Sequence, residues 1–222
     1  MLDYREHAPG EAQSGTVIML HGFGANAADL YSLHGVVDPA SQHRWVFPEA
    51  PYRSLMLGGG QAWFPRDEDN IMNAMSGEYF KDMSNMDPDD LRQSAAEILE
   101  LAAALELDWS RTILAGFSQG AMVATECVVG SGTRPAGLAL FSGVVVAADR
   151  WRSSVADRAA GLPVYHSHGE YDPILSFEAG TALAQFLSTA GADLRSTTFP
   201  GGHTIPEAAV EGFTGFVQEL LG

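Results

Sequence analysis

An α/β fold class, with a mostly parallel central sheet and helices on both faces, is predicted by three observations in this 222-residue chain. Short apolar runs that read as strands alternate with longer amphipathic stretches that read as helices, the order that parallel sheets require. Hydrophobic residues make up 46% of the sequence, enough at this length for one well-buried core and too little for two. No internal repeat, linker or low-complexity tract breaks the pattern, so residues 1–222 are expected to form one domain.

A short first strand is expected near Leu2 to Glu6, followed by strands at Thr16 to Leu20 and Arg44 to Phe47. The clearest helix is Asp89 to Leu105. Asp87 is its expected N-cap, Pro88 takes the first position, acids fill the first turn, and Leu91, Ala95, Ile98, Ala102 and Leu105 form an apolar stripe. Strands then follow at Arg111 to Ala115, Gly137 to Phe141, Pro163 to His168 and Arg195 to Phe199, with helices at Gln119 to Val129, Phe177 to Ala190 and Pro206 to Leu221. Thr204 and Glu207 have the spacing of a capping box for the last helix. Residues 55–90 depart from this regularity as an irregular insert containing Gly58 to Gly60, Trp63–Phe64–Pro65, an acidic stretch and five methionines: Met56, Met72, Met75, Met83 and Met86. Flexible, polarizable methionines suit a pocket for varied apolar groups, and a long insert in a compact domain often forms a lid or binding loop. Trp63, Met56, Leu57 and Phe64 are therefore expected to wall a substrate pocket together with Phe23, although merely covering the sheet would fit the same residues.

Chemistry enters at Gly116–Phe117–Ser118–Gln119–Gly120, a GxSxG turn between an apolar strand and a helix. A nucleophile elbow needs this arrangement: the serine projects from a tight turn that leaves no room for side chains two residues to either side. A serine hydroxyl is a weak nucleophile at neutral pH and needs a base, and the base needs an orienting group. Asp172 follows the strand ending at His168, and His203 follows the one ending at Phe199. The chain order Ser, Asp, His, each just past a strand, is the order of the α/β-hydrolase fold. Thr16–Leu20 runs into His21–Gly22–Phe23–Gly24–Ala25, an early strand-to-helix loop suited to oxyanion donors. The backbone N–H groups of Phe23 and Gln119 are the expected pair. His21 is expected to brace this loop through a side-chain hydrogen bond.

The segments LHGFGA, PEAP, AWF, GFSQGA, HGEYD and GGHTIP, in this order across nearly the whole chain, resemble the carboxylesterase and acyl-protein thioesterase group of small α/β-hydrolases. The resemblance implies Ser118 as nucleophile, His203 as base, Asp172 as its orienter, and Phe23 and Gln119 as oxyanion donors. Ala121 stands where the family often has a second glycine, Ala25 and Pro65 stand where it often has acids, and Pro173–Ile174–Leu175 replaces a stretch in which valine is common. These departures bear on the substrate and leave the reaction class intact. Hydrolysis of carboxylic esters of small to medium acyl chain is the first expectation. Acyl-protein thioesterase or lysophospholipase-type activity is the alternative, and a non-catalytic binding protein on the same scaffold is a distant one. No cofactor is required. Activity should fall in acid, where protonated His203 cannot act as a base.

A formal net charge of −16 without a Lys/Arg cluster disfavours nucleic acid and stable membrane binding, so the expected partner is a small-molecule ester or thioester, with a homodimer left open. No run of about eighteen apolar residues reads as a membrane span. The charged start Met1 to His7 lacks a signal-peptide core, and with Cys127 alone no intrachain disulfide can form, so a cytoplasmic location is expected. Two metal readings fail. His166 and His168 share a face, but HG before the acid loop belongs to the family pattern. Asp67–Glu68–Asp69 with Glu78 has Ile71 and Met72 where a calcium loop needs an oxygen ligand and a glycine. His7, His34 and His43 read as surface residues.

Overall fold

The computed structural model describes residues 1–10 and 13–222. Its main sheet is built from strands β1 (Tyr4–His7), β2 (Thr16–Leu20), β3 (Arg44–Pro48), β6 (Thr112–Phe117), β7 (Gly137–Phe141), β8 (Pro163–Gly169) and β9 (Asp193–Phe199), and a hairpin of β4 (Tyr52–Arg53) and β5 (Gln61–Ala62) lies beside it. The seven strands are ordered β1-β3-β2-β6-β7-β8-β9. Only β1 runs antiparallel, pairing Tyr4 to Pro48 and His7 to Trp45. Every other pair in this sheet is parallel, with Leu20 opposite Gly116 and Phe117 opposite Phe141.

Successive residues of a strand point to opposite faces, and the unbroken apolar runs feed both. Ile18, Leu20, Val46, Leu114, Leu138 and Leu140 pack on one side; Val17, Met19, Trp45, Phe47, Ile113 and Ala115 pack on the other. The first side is covered by α4 (Asp89–Ala104), α5 (Gln119–Thr125) and α8 (Phe177–Thr189), and the second by α9 (Glu207–Leu221) with α1 (Ala27–Tyr31) and α2 (Leu33–Val37). The insert carries α3 (Glu68–Met75) and three short 3-10 turns, so much of it is regular structure. Two short helices, α6 (Ala148–Arg152) and α7 (Val155–Ala159), fill the β7–β8 connection. None of the described helices is long and apolar enough to cross a membrane.

Several local expectations are corrected. Asp87 does not cap α4: Pro88 holds the N-cap position, and the Asp87 carboxylate accepts from Arg92 Nη1 at 2.6 Å and Arg150 Nε at 3.0 Å. Two guanidinium donors outcompete one backbone N–H for the same oxygen. The Thr204–Glu207 capping box does not form, because α9 starts one residue later with Pro206 as N-cap and no side-chain hydrogen bond there. The helix after the elbow stays α-helical only to Thr125 and continues as a π turn over Glu126–Gly130. His43 is buried at 2% exposure rather than on the surface, and its backbone N–H donates to Asp38 Oδ2 at 2.9 Å.

Candidate active site

Ser118 sits between β6 and α5 with φ 55 and ψ −118, a conformation rarely adopted by residues other than glycine. The sharp turn is possible because Gly116 and Gly120 flank it. A Cβ on Gly116 would overlap the Gly120 backbone, and one on Gly120 would overlap the Leu20 carbonyl. The Ser118 N–H donates to Phe141 O at 2.7 Å, which ties the turn to β7.

His203 Nε2 lies 2.8 Å from Ser118 Oγ, and His203 Nδ1 lies 2.6 Å from Asp172 Oδ2. With Asp172 ionised, Nδ1 carries the proton and donates to it, leaving Nε2 to accept from the serine hydroxyl. The Asp172 side chain is fully enclosed while His203 is 16% exposed, so the carboxylate faces the protein and the imidazole faces the cleft. Burial pushes the Asp172 carboxyl up, but the hydrogen bonds from His203, Leu175 and Ile174 outweigh it and hold the group below its ordinary value. The Ile174 and Leu175 N–H groups donate to Oδ1 at 2.8 and 2.9 Å. This is an Asx turn, a structure that the Asp172–Pro173 pair could have announced. The Phe117 ring lies against the His203 imidazole, with centroids 4.8 Å apart.

The loop carrying Phe23 is held from two sides. Gly24 N–H donates to Gln61 O, and Gln61 N–H donates to Ala25 O, both at 2.8 Å, so the hairpin inside the insert docks on the loop. His21 braces it as well: Nδ1–H donates to Gly22 O at 2.8 Å, and Nε2 accepts from Ala50 N–H at 3.1 Å. Burial pushes the His21 pKa down, which favours this neutral form. Gln119 opens α5, and its side chain spans to the insert, accepting from Trp63 N–H at 2.8 Å and donating to Phe64 O.

The cleft over Ser118 and His203 has a volume of about 500 Å³ and is walled by Phe23, Met75, Phe80, Ile174 and Leu175. A neighbouring cavity of about 350 Å³ shares the wall formed by Phe80, Lys81 and Pro173 to Leu175. The expected wall of Trp63, Phe64, Met56 and Leu57 is therefore displaced. Trp63 and Phe64 are fully buried, and the Trp63 indole donates to His21 O at 2.9 Å, so they support the site from below instead of lining it. Met56 and Leu57 lie in the turn after β4 and do not line the cleft. Of the five methionines, Met75 reaches the cleft and Met83 lines the neighbouring cavity. Periodicity could not have singled out Phe80, because the cleft wall is assembled from separate segments.

No group of three or more His, Cys, Asp or Glu side chains suited to a metal occurs among the described residues. Cys127 is buried, and burial with the nearby Glu126 charge pushes its thiol well up. It is thus an inert core residue.

Residues 6–221 match the family model described as Phospholipase/Carboxylesterase. Acyl-protein thioesterase 1 of Schizosaccharomyces pombe is 28% identical over 185 residues, which cover 81% of this chain and 78% of that protein. A probable carboxylesterase of Oryza sativa subsp. japonica is 26% identical over 226 residues, covering 93% of this chain and 88% of the relative. The crystal structure of esterase PE8 is similar with a TM-score of 0.76 at 27% identity, covering 99% of this chain and 98% of that one.

Proposed function

This chain belongs to the phospholipase/carboxylesterase family, a hydrolytic family with the α/β-hydrolase fold, and from that premise we propose that it cleaves carboxylic esters of small to medium acyl chain through Ser118, His203 and Asp172. The observation that carries the reading is the unbroken line Ser118 Oγ to His203 to Asp172, with contacts of 2.8 and 2.6 Å at the floor of an open cleft. His203 Nε2 takes the hydroxyl proton as Oγ attacks the ester carbon, and Asp172 stabilises the imidazolium that forms. The N–H groups of Phe23 and Gln119 receive the negative charge on the former carbonyl oxygen. The imidazolium then protonates the departing alcohol. Water, deprotonated by the same imidazole, attacks the acyl-serine and releases the acid, restoring Ser118.

The apolar wall of Phe23, Met75, Phe80 and Leu175 supports an acyl group as the part recognised. Each methylene transferred from water is worth about 0.8 kcal/mol, so kcat/KM should climb with chain length until the cleft is filled. A thioester reading is favoured by one observation, the likeness to the fission-yeast thioesterase, and the same site chemistry serves both bonds. Reaction with a fluorophosphonate probe, lost in Ser118→Ala, followed by kcat/KM over oxygen esters and thioesters of graded length, tests the proposal. Unlabelled native protein, or labelling that survives Ser118→Ala, would overturn it.

A further inference from the structure

His168 is a buried imidazole that the acyl-transfer steps leave unused. It lies in β8 four residues before Asp172 and is wholly enclosed. Its Nε2 is 2.8 Å from the Leu175 carbonyl oxygen and 3.4 Å from Asp172 Oδ2. A carbonyl oxygen can only accept, so Nε2 carries the proton. The other nitrogen, Nδ1, is buried without a hydrogen-bond partner. Helix α8 closes over that side, where a Cβ on Gly180 would overlap Nδ1 and the Phe177 ring stands edge-on. Protonating Nδ1 would bury an N–H with nothing to receive it, so the neutral tautomer with its proton on Nε2 is fixed by the packing. The titratable groups facing the ring are His166, whose ring stacks on it, Asp172 and His203; burial, with a smaller contribution from His203, outweighs the Leu175 hydrogen bond and the Asp172 charge and disfavours a charge there.

We propose that His168 is a positioning residue for the triad acid: its Nε2–H donates to the Leu175 carbonyl and stands 3.4 Å from the Asp172 oxygen that accepts from His203 Nδ1. The inference rests on Asp172 being the acid of the proposed mechanism. Leu175 is the hinge of the device. Its N–H donates to Asp172 Oδ1 at 2.9 Å while its carbonyl is held by His168, so the two peptide groups flanking one residue are both anchored at the carboxylate. Asp172 Oδ2 then points at His203 Nδ1 at 2.6 Å without freedom to rotate. Losing the Nε2–H frees the Leu175 carbonyl, lets the carboxylate turn and weakens its hold on the imidazolium that forms in the transition state.

The test compares His168→Phe, His168→Gln and Gly180→Ala by steady-state kinetics from pH 5 to pH 9, with thermal melts of each. His168→Phe keeps an apolar ring but has no donor, and kcat should fall by about 10- to 100-fold. With the imidazolium held less tightly, the acid limb of the kcat/KM profile should also move to lower pH. A glutamine amide reaches close to the imidazole Nε2 position, so His168→Gln should recover most of the rate and restore the limb. Gly180→Ala touches neither substrate nor triad, yet it pushes the His168 ring and should reproduce the phenylalanine phenotype in milder form. It keeps the question open to measurement if His168→Phe does not fold. Native rate and an unshifted acid limb in the folded variants, or a slow His168→Phe whose limb stays in place and which glutamine does not rescue, would overturn the proposal. Fluorophosphonate labelling of Ser118 in the native protein separates these outcomes from failure of the triad itself.

Discussion

At φ 55, Ser118 occupies a backbone region that costs a non-glycine residue about 1–3 kcal/mol, and its neighbours hold it there. The residue scale is where the sequence was most readable, because steric demands leave small, discrete signatures. Gly116 and Gly120 are legible as a turn that must exclude side chains, and Asp172 and His203 are legible as residues just past strand ends. What was missed is the support around them: the Gln119 amide bridging to Trp63 and Phe64, and His168 under the acid loop, whose roles depend on contacts across 55 residues and on a loop fold. A second buried histidine carries a pH prediction. Burial, then the neighbouring His168, pushes the His166 pKa down from 6.5 to about 4. Between those values the unfolded chain binds a proton that the folded one refuses, so stability present above pH 6.5 is lost as the pH falls toward 4. The loss attributable to His166 alone should reach about 2–3 kcal/mol near pH 4.5. Urea midpoints at pH 7 and pH 4.5 should therefore fall less for His166→Gln than for the native chain. Equal losses would refute the assignment.

The elements show a different balance between what is legible and what is not. Long helices with full apolar stripes, such as α4, declare themselves, whereas α6 and α7 are five residues each and complete too few turns to show a period. Asp87 looked like a cap because capping and ion pairing use the same side chain, and the deciding guanidinium of Arg150 is 63 residues away. That arginine belongs to a network holding the helix after Ser118 in place. Glu126, in the π turn after α5, is buried to 2% exposure and accepts from Arg150 at 2.7 and 2.9 Å and from the Trp151 indole at 2.6 Å. Arg150→Ala would leave that carboxylate enclosed with the indole alone, a change that costs about 3 kcal/mol. For a chain of this length the melting temperature should drop by on the order of 10 °C. Glu126→Gln added to Arg150→Ala should return part of the loss by removing the stranded charge. A double variant no more stable than the single would contradict this account.

Over the whole molecule, the mostly parallel direction of the strands follows from the alternation of strands and helices, while their spatial order and the shape of the cleft do not. Its wall joins residues from the Phe23 loop, α3, the turn at Phe80 and the acid loop, and no local period encodes such a meeting. The chain is −16 overall, and its single lysine, Lys81, lines the cleft with its ammonium engaged by Glu78. The mouth therefore does little to offset the negative field seen by an approaching anion. Raising NaCl from about 10 to about 500 mM should increase kcat/KM several-fold for a monoester of a dicarboxylic acid and leave a neutral ester of equal length nearly unchanged. Equal salt responses would count against electrostatic selection.

The edge position of β9 has a consequence for how the protein is made. Ser118 and His203 are 85 residues apart and Asp172 and His203 are 31 apart, and His203 arrives only on the loop after the outermost strand, which pairs with β8 alone. A refolding chain can complete six strands and still lack the His203 imidazole beside Ser118. Recovery of hydrolysis during refolding should therefore report the docking of this edge strand, a long-range event, and not collapse alone.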